Sequence, residues 1–208
     1  LRLDVQNLAC DRGERRIFTG LSFALAPGDA LVVRGRNGAG KSSLLDILAG
    51  RLRPAYGAIR LSEAGERSLP ECLHSIGHRD ALKAALTAEE NLSFARDFLG
   101  DPALPVHAAL DAVGLLHAAH LPVAYLSAGQ RRRIALARLL VARRPLWLLD
   151  EPTSALDTAS QDMLLGLMER HRTDGGIVVA TTHAPLGLKD AKEIRIEREV
   201  ASLAGEGA

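Results

Sequence analysis

Apolar and polar residues alternate at the start of the chain, and a helical period takes over further on. Residues 1–5 and 17–25 alternate in the manner of strands and predict a hairpin, with the charged run Asp11-Arg-Gly-Glu14 as its turn. Pro27-Gly28-Asp29 predicts a second turn. Residues 30–33 form a short continuous apolar strand that runs straight into a glycine-rich loop. From Lys41 to about Leu52, Leu44, Leu45, Ile47 and Leu48 fall on one helical face, and Gly50 and Pro54 bracket its end. Residues 59–61 continue the β-rich part.

The character changes over 80–144, which is rich in Ala and Leu and poor in β-branched runs. Thr87-Ala-Glu-Glu90 has the form of a capping box ahead of a helix, and Pro102, Pro105 and Pro122 punctuate the stretch. Strand patterns return at 146–149 and 177–181, on either side of a helical pattern over 158–171. Glu193-Ile-Arg-Ile-Glu197 alternates like a last strand. The pattern predicts an α/β core, about 1–78 and 145–208, interrupted by a helical subdomain over about 79–144, all one domain over 1–208. There is no internal repeat, and an end at Ala208 is expected to leave no room for a regulatory domain.

Composition narrows the class. The 208 residues are 47% apolar but only 3% aromatic, so the core must be built of Leu, Ala, Val and Ile. A net charge of +1 argues against binding nucleic acid through bulk charge. Cys10 and Cys72 are isolated, with neither a CxxC spacing nor a disulfide framework, which points to a reducing compartment. No apolar run approaches the roughly 18 residues that span a bilayer, and the N-terminus lacks the apolar core of a signal peptide. Membrane association is therefore expected through a partner.

Three stretches carry chemistry. Gly35, Arg36, Asn37, Gly38, Ala39, Gly40, Lys41 and Ser42 fit G-x-x-x-x-G-K-[ST] between a predicted strand and a predicted helix, with Ser43 following. Glycines let backbone N–H groups curl around phosphates. Lys41 brings a point charge to the β and γ phosphates, Ser42 offers a hydroxyl to Mg²⁺, and the helix N-terminus adds its field. Next, an apolar strand ends in Asp150 and Glu151. With a phosphate loop present, Asp150 suits the metal's water shell and Glu151 can orient or deprotonate an attacking water.

The third stretch is Leu126, Ser127, Ala128, Gly129 and Gln130, with Ser127 placed to cap a helix. A Ser hydroxyl and free N–H groups at a helix start form an anion site. One phosphate loop is already supplied in cis, so this second anion site should serve a nucleotide held by another copy. Taken alone, the stretch reads equally as a capped helix and nothing more. Arg131, Arg132 and Arg133 then crowd the positive end of that helix, which is locally unfavourable. They read as a solvated face unless an acidic neighbour or a phosphate offsets the cost. His117 and His120 have no carboxylate or cysteine neighbour at ligand spacing and read as surface residues.

These ordered motifs resemble the ABC transporter ATPases over essentially the whole chain. The resemblance implies an ABC-type P-loop NTPase (RecA-like) core with an antiparallel β edge, binding ATP and Mg²⁺ and hydrolysing ATP as a head-to-tail homodimer. It makes Ser154, Ala155, Leu156 and Asp157 the loop at the dimer interface, and His183 the switch histidine that contacts the γ-phosphate. Two positions depart from the family's pattern. Nine residues before Thr87, where a Gln is usual, stands His78. Where an aromatic usually stacks on adenine stands Arg12, whose planar guanidinium can stack in its place. An imidazole at His78 can hold the metal's water through a neutral nitrogen, which makes partner-coupled activity sensitive to mild acid.

Both departures, with Ile76-Gly-His-Arg-Asp80, Leu82-Lys83, Leu86-Thr87, Glu90-Asn-Leu92, Gly175-Gly-Ile-Val178 and Thr181-Thr-His-Ala-Pro-Leu186, resemble the ATP-binding subunits of cytochrome c biogenesis exporters. That branch implies a haem-linked cargo, integral membrane subunits of a cytochrome c maturation complex as partners, and a peripheral place on the cytoplasmic face of the inner membrane, without nucleic acid. Another small exporter and a soluble non-transport ABC ATPase are the alternatives. A small-molecule kinase would leave residues 126–130 and His183 without a use, and a catalytically silent subunit would not need Glu151.

Overall fold

A computed structural model describes residues 1–183 and 185–196. Ala184, inside one of the stretches quoted above, and Glu197, at the end of another, lie outside the described residues. The chain opens with a hairpin, β1 (Arg2–Arg12) and β2 (Arg15–Leu25), and continues through β3 (Ala30–Arg34), α1 (Lys41–Leu48), β4 (Tyr56–Ser62), the single turn α2 (Leu69–Cys72) and β5 (Leu73–Ile76). Three helices follow, α3 (Ala88–Leu99), α4 (Val106–Ala112) and α5 (Ala128–Val141). The order closes with β6 (Leu146–Asp150), α6 (Thr158–Thr173), β7 (Ile177–Thr181) and β8 (Lys192–Arg195).

Two sheets form. β2-β1-β4 is antiparallel, and β5-β6-β7-β3-β8 is parallel throughout. The three inner parallel strands, β6, β7 and β3, are apolar almost end to end because both of their faces are covered. Leu31 and Val33 of β3, Leu146 and Leu148 of β6, and Ile177 and Val179 of β7 pack against α1 and the antiparallel sheet. Their neighbours Val32, Trp147, Leu149, Val178 and Ala180 face the core shared with α3 to α6. The strand period of two thus divides one sheet between two cores. Each helix of the middle section is stopped or started by residues visible in the sequence. Thr87 caps α3 in a full capping box with Glu90, and Pro105 precedes α4.

Several bounds differ from the pattern. β1 runs on to Arg12, so Asp11 and Arg12 pair with Arg16 and Arg15 and only Gly13 and Glu14 make the turn. Its alternation is hidden by irregular register between Val5 and Asp11, with Asn7 at φ +48°, as expected of a bulged strand. The helix expected to reach Leu52 ends at Leu48, because Gly50 turns left-handed at φ +72°. β5 has no counterpart in the expected elements.

Candidate functional site

The parallel sheet presents the C-terminal ends of β3, β6 and β7 along one edge, where α/β folds bind ligands. The loop after β3 leads into α1, with Gly40 as N-cap at φ +108°. A Cβ on Gly40 would lie 2.4 Å from Ile17 Cγ2, so the loop passes too close to β2 for any side chain. The Lys41 side chain is 7% exposed, and its ammonium donates to Gly35 O at 2.9 Å. It lies 3.2 Å from His183 Nε2 and 3.6 Å from Glu151 Oε1.

β6 delivers Asp150 and Glu151. Thr181 Oγ1, at the end of β7 and fully buried, donates to Asp150 Oδ1 at 2.5 Å and accepts the Glu151 amide at 3.1 Å. Glu151 itself is left-handed, at φ +45°, a conformation that costs a non-glycine residue on the order of 1–3 kcal/mol and persists only where surroundings hold it. Its Oε1, closed off from solvent, lies 3.0 Å from His183 Nε2. One imidazole nitrogen therefore faces an ammonium and a carboxylate. Unprotonated, it accepts from Lys41, while its approach to Glu151 Oε1 lacks hydrogen-bond geometry.

These groups line an open cavity of about 600 Å³ together with Arg12, Asn37, Gly38, Ser42, Ser43, His78 and Ser154. Among the described residues, no Phe, Tyr or Trp lines it. Arg12 stands at the rim, half-exposed, with its guanidinium 3.7 Å from Asp46, which also accepts from Arg51. His78 is exposed. Of the remaining residues of the phosphate loop, Gly35 accepts from Lys41, Arg36 lies in a neighbouring depression beside His183, and Ala39 is packed in the core. Ser42 and Asp150 offer hard oxygen donors, the chemistry Mg²⁺ takes. Two such donors suit a cation that arrives already bound to phosphates.

Residues 126–130 are elsewhere. They open α5, where Ser127 and Gln130 form a reciprocal capping box, with Leu126 buried and Ser127 and Ala128 exposed. None of the five lines the cavity. Ala155, at φ +64°, brings its carbonyl against Gly129, where a Cβ would stand 3.2 Å away. Leu156 is buried, and Asp157 caps α6 by accepting from Ser160 N; hydrogen bonding from the Ser160 side chain first, and then from its amide, holds the carboxyl below the usual range.

Two functional neighbours escape a reading of the sequence. Thr181 is one threonine in an apolar strand. Arg132, expected on a solvated face with Arg131 and Arg133, is instead 4% exposed. The charge is offset by the acidic neighbour the pattern required, Asp80, at 3.1 Å. Only the position of Asp80 before the helical section, far away in sequence, could have hinted at it. His117 and His120 are exposed.

A glycine-lined phosphate loop, a buried lysine and a strand-end Asp-Glu pair on one sheet edge define a P-loop nucleoside triphosphatase. The sequence family described as ABC transporter matches residues 18–154, and the chain belongs to that family, as an ATP-hydrolysing subunit. Curated relatives include the Cytochrome c biogenesis ATP-binding export protein CcmA of Bradyrhizobium diazoefficiens, 55% identical over 94% of this chain and 98% of the relative. The protein of the same name from Nitrobacter winogradskyi is 56% identical over the same shares. Among solved structures, a metal-chelate-type ABC transporter in an inward-facing conformation is 32% identical, with a TM-score of 0.76 over 94% of this chain and 80% of that one. A dimeric ATP-binding cassette bound to ADP and Pi after hydrolysis matches at a TM-score of 0.80 and 23% identity over 94% of both chains, which bears on the fold alone.

Proposed function

We propose that this ATPase is the motor subunit of a membrane exporter that serves cytochrome c biogenesis. The observation that carries the ATPase part is the meeting of Lys41, Glu151 and His183 within 3.6 Å at the mouth of a phosphate loop. The branch is supported by identities of 55–56% to export proteins named for that process, and by His78 and Arg12, the two positions where the chain departs from the wider family. Its cargo class is then haem, free or on a carrier. No helix among the described residues is long and apolar enough to cross a membrane. Attachment to the cytoplasmic face of the inner membrane would come through integral subunits of a cytochrome c maturation complex, docked on the lobe of residues 79–144 beside His78.

Each residue's part follows from charge. Lys41 holds the β and γ phosphates, and Ser42 and Asp150 would hold a Mg²⁺ arriving with them, which would neutralise phosphate charge. In the structure the Lys41 ammonium pairs with the Glu151 carboxylate at 3.6 Å. A γ-phosphate competes for the same ammonium, and repulsion between anions turns the carboxylate free to accept a proton from water. His183, its Nε2 protonated, donates to the phosphate. Arg12 and Ile17 are the side chains left to meet the base. Residues 126–130 meet the nucleotide of a second copy, and Ser154, Ala155, Leu156 and Asp157 line the seam. The exposure of Ser127 away from its own cavity supports that arrangement.

The test is to express tagged E151Q in the native host, solubilise membranes with ATP present and identify the retained proteins. The expected result is the membrane subunits of cytochrome c maturation. A different permease would overturn the cytochrome c assignment and leave the motor, whereas ribosomes or nucleic acid would overturn transport altogether.

A further inference from the structure

Arg132 sits two residues beyond the 126–130 stretch and is almost fully buried. Its guanidinium reaches two segments far apart in sequence. One terminal nitrogen donates to Gly77 O at 2.9 Å and Asp80 Oδ1 at 3.1 Å. The other donates to Asp150 O at 3.2 Å and Glu151 O at 3.1 Å, and Nε donates to Pro152 O at 3.4 Å. Three successive carbonyls around the reactive carboxylate are thus gathered on one planar fork, whose other side holds the backbone just before His78. The residue so enclosed, Glu151, is the one in a left-handed conformation. Thr181 ties only its amide. Without the fork, the carbonyls of Asp150 and Pro152 would lose this donor and that of Glu151 would keep only the Ser154 amide, at 3.1 Å, to resist a return to an ordinary backbone.

We infer that Arg132 is a positioning residue for ATP hydrolysis: it fixes the backbone on which Glu151 stands and binds that backbone to the start of α5 and to the Gly77–Asp80 segment. The inference rests on the reading of Glu151 as the group that activates water. Its geometry demands a planar five-donor fork, which an ammonium cannot replace. A positive charge at the N-terminal turn of α5 works against the helix dipole, so the helix itself has no use for it. Asp80 anchors the fork from the far side.

The experiment compares R132K, R132Q and D80N with the wild-type full chain. It reads ATP turnover across ATP concentrations, MgATP binding by calorimetry, and backbone hydrogen exchange over 77–80 and 150–154. For R132K and R132Q, kcat is expected to fall about tenfold to a hundredfold, the scale of a slight misplacement of a reacting group. KM and MgATP affinity should stay within about twofold, and exchange should quicken in those two segments but not in the phosphate loop. D80N keeps the carbonyl contacts, so it folds where an arginine variant fails to, and should lose a few-fold in kcat with the same exchange pattern. Wild-type kcat in R132K would overturn the inference. So would unchanged exchange at 150–154 in D80N together with any arginine variant that folds, or loss of MgATP affinity in step with kcat. Absence of turnover by the wild-type chain would count against the proposed function instead, and the exchange measurement would still decide the clamp.

Discussion

His74 shows how a single buried side chain ties stability to pH. It lies on β5 opposite Trp147, 5% exposed, with Nε2 3.0 Å from Ala142 O. Burial is the main cause that pushes its pKa down to about 4. His171, stacked on Trp147 with ring centroids 3.9 Å apart, is likewise pushed down to about 4 by burial. Both imidazoles are neutral in the folded protein at pH values where the unfolded chain, with pKa near 6.5, already binds a proton. Stability is therefore complete above pH 6.5, falls as pH drops, and stops falling on this account near pH 4. At pH 5 the loss for His74 is about 2 kcal/mol, from 1.36 kcal/mol per unit. The melting temperature is expected to be level from pH 8 to 7 and to fall several degrees by pH 5, with H74Q removing roughly half of that slope. An equal slope in H74Q would mean that His74 is solvated or protonated in the folded state. Holding the range above pH 5 keeps out carboxylates such as Asp157 and Asp29, whose lowered pKa values cost stability only in stronger acid.

At the scale of elements, the loop between β3 and α1 is the most constrained piece of the fold. Gly40 combines φ +108° with an approach that leaves a Cβ 2.4 Å from Ile17 and 3.2 Å from Phe18. G40A must shift β2 or the loop, and both border the cavity. MgATP affinity is expected to fall more than tenfold, with a stability loss on the order of 1–3 kcal/mol for the backbone alone. Calorimetric titration showing wild-type affinity would mean the loop is not shaped by its contact with β2. That strand, loop and helix were legible in the sequence because their signals are local: an apolar run, glycines at set spacing, then a helical period. β5 was not, since Leu73–Ile76 is too short for an alternation to register and its pairing with β6 is made by residues 73 apart. The length of β1 was hidden for another reason, its bulges, which shift the alternation mid-strand. Thr181 and Arg132 escaped for a third, because their partners lie 30 and 18–55 residues away and no periodicity marks them.

For the whole molecule, the decisive feature is that the helix start at the phosphate loop and the helix start at Ser127 face different ways. Gly40 and Lys41 open α1 inside the cavity, while Ser127 opens α5 outside it. Gly129 lets the Ala155 carbonyl close in, so the start of α5 and the loop 154–157 form one rim. In the head-to-tail pair proposed above, that rim would cover the partner's phosphate loop, and each composite site would take Lys41 from one copy and Ser127 from the other. A mixing experiment separates this from a self-sufficient site. K41A and S127R are each expected to be inactive alone. Mixed in equal amounts, half of the dimers are heterodimers by random pairing, and each carries one site with both defects and one site with none. Turnover should therefore reappear at about a quarter of the wild-type rate if the two sites work independently. Recovery well below that, together with ATP-driven dimers of wild-type size on a gel-filtration column, would mean that the sites fire only as a pair. Wild-type turnover by S127R alone, with no ATP-driven dimer, would place Ser127 outside the reaction, and α5 would be a capped helix and no more.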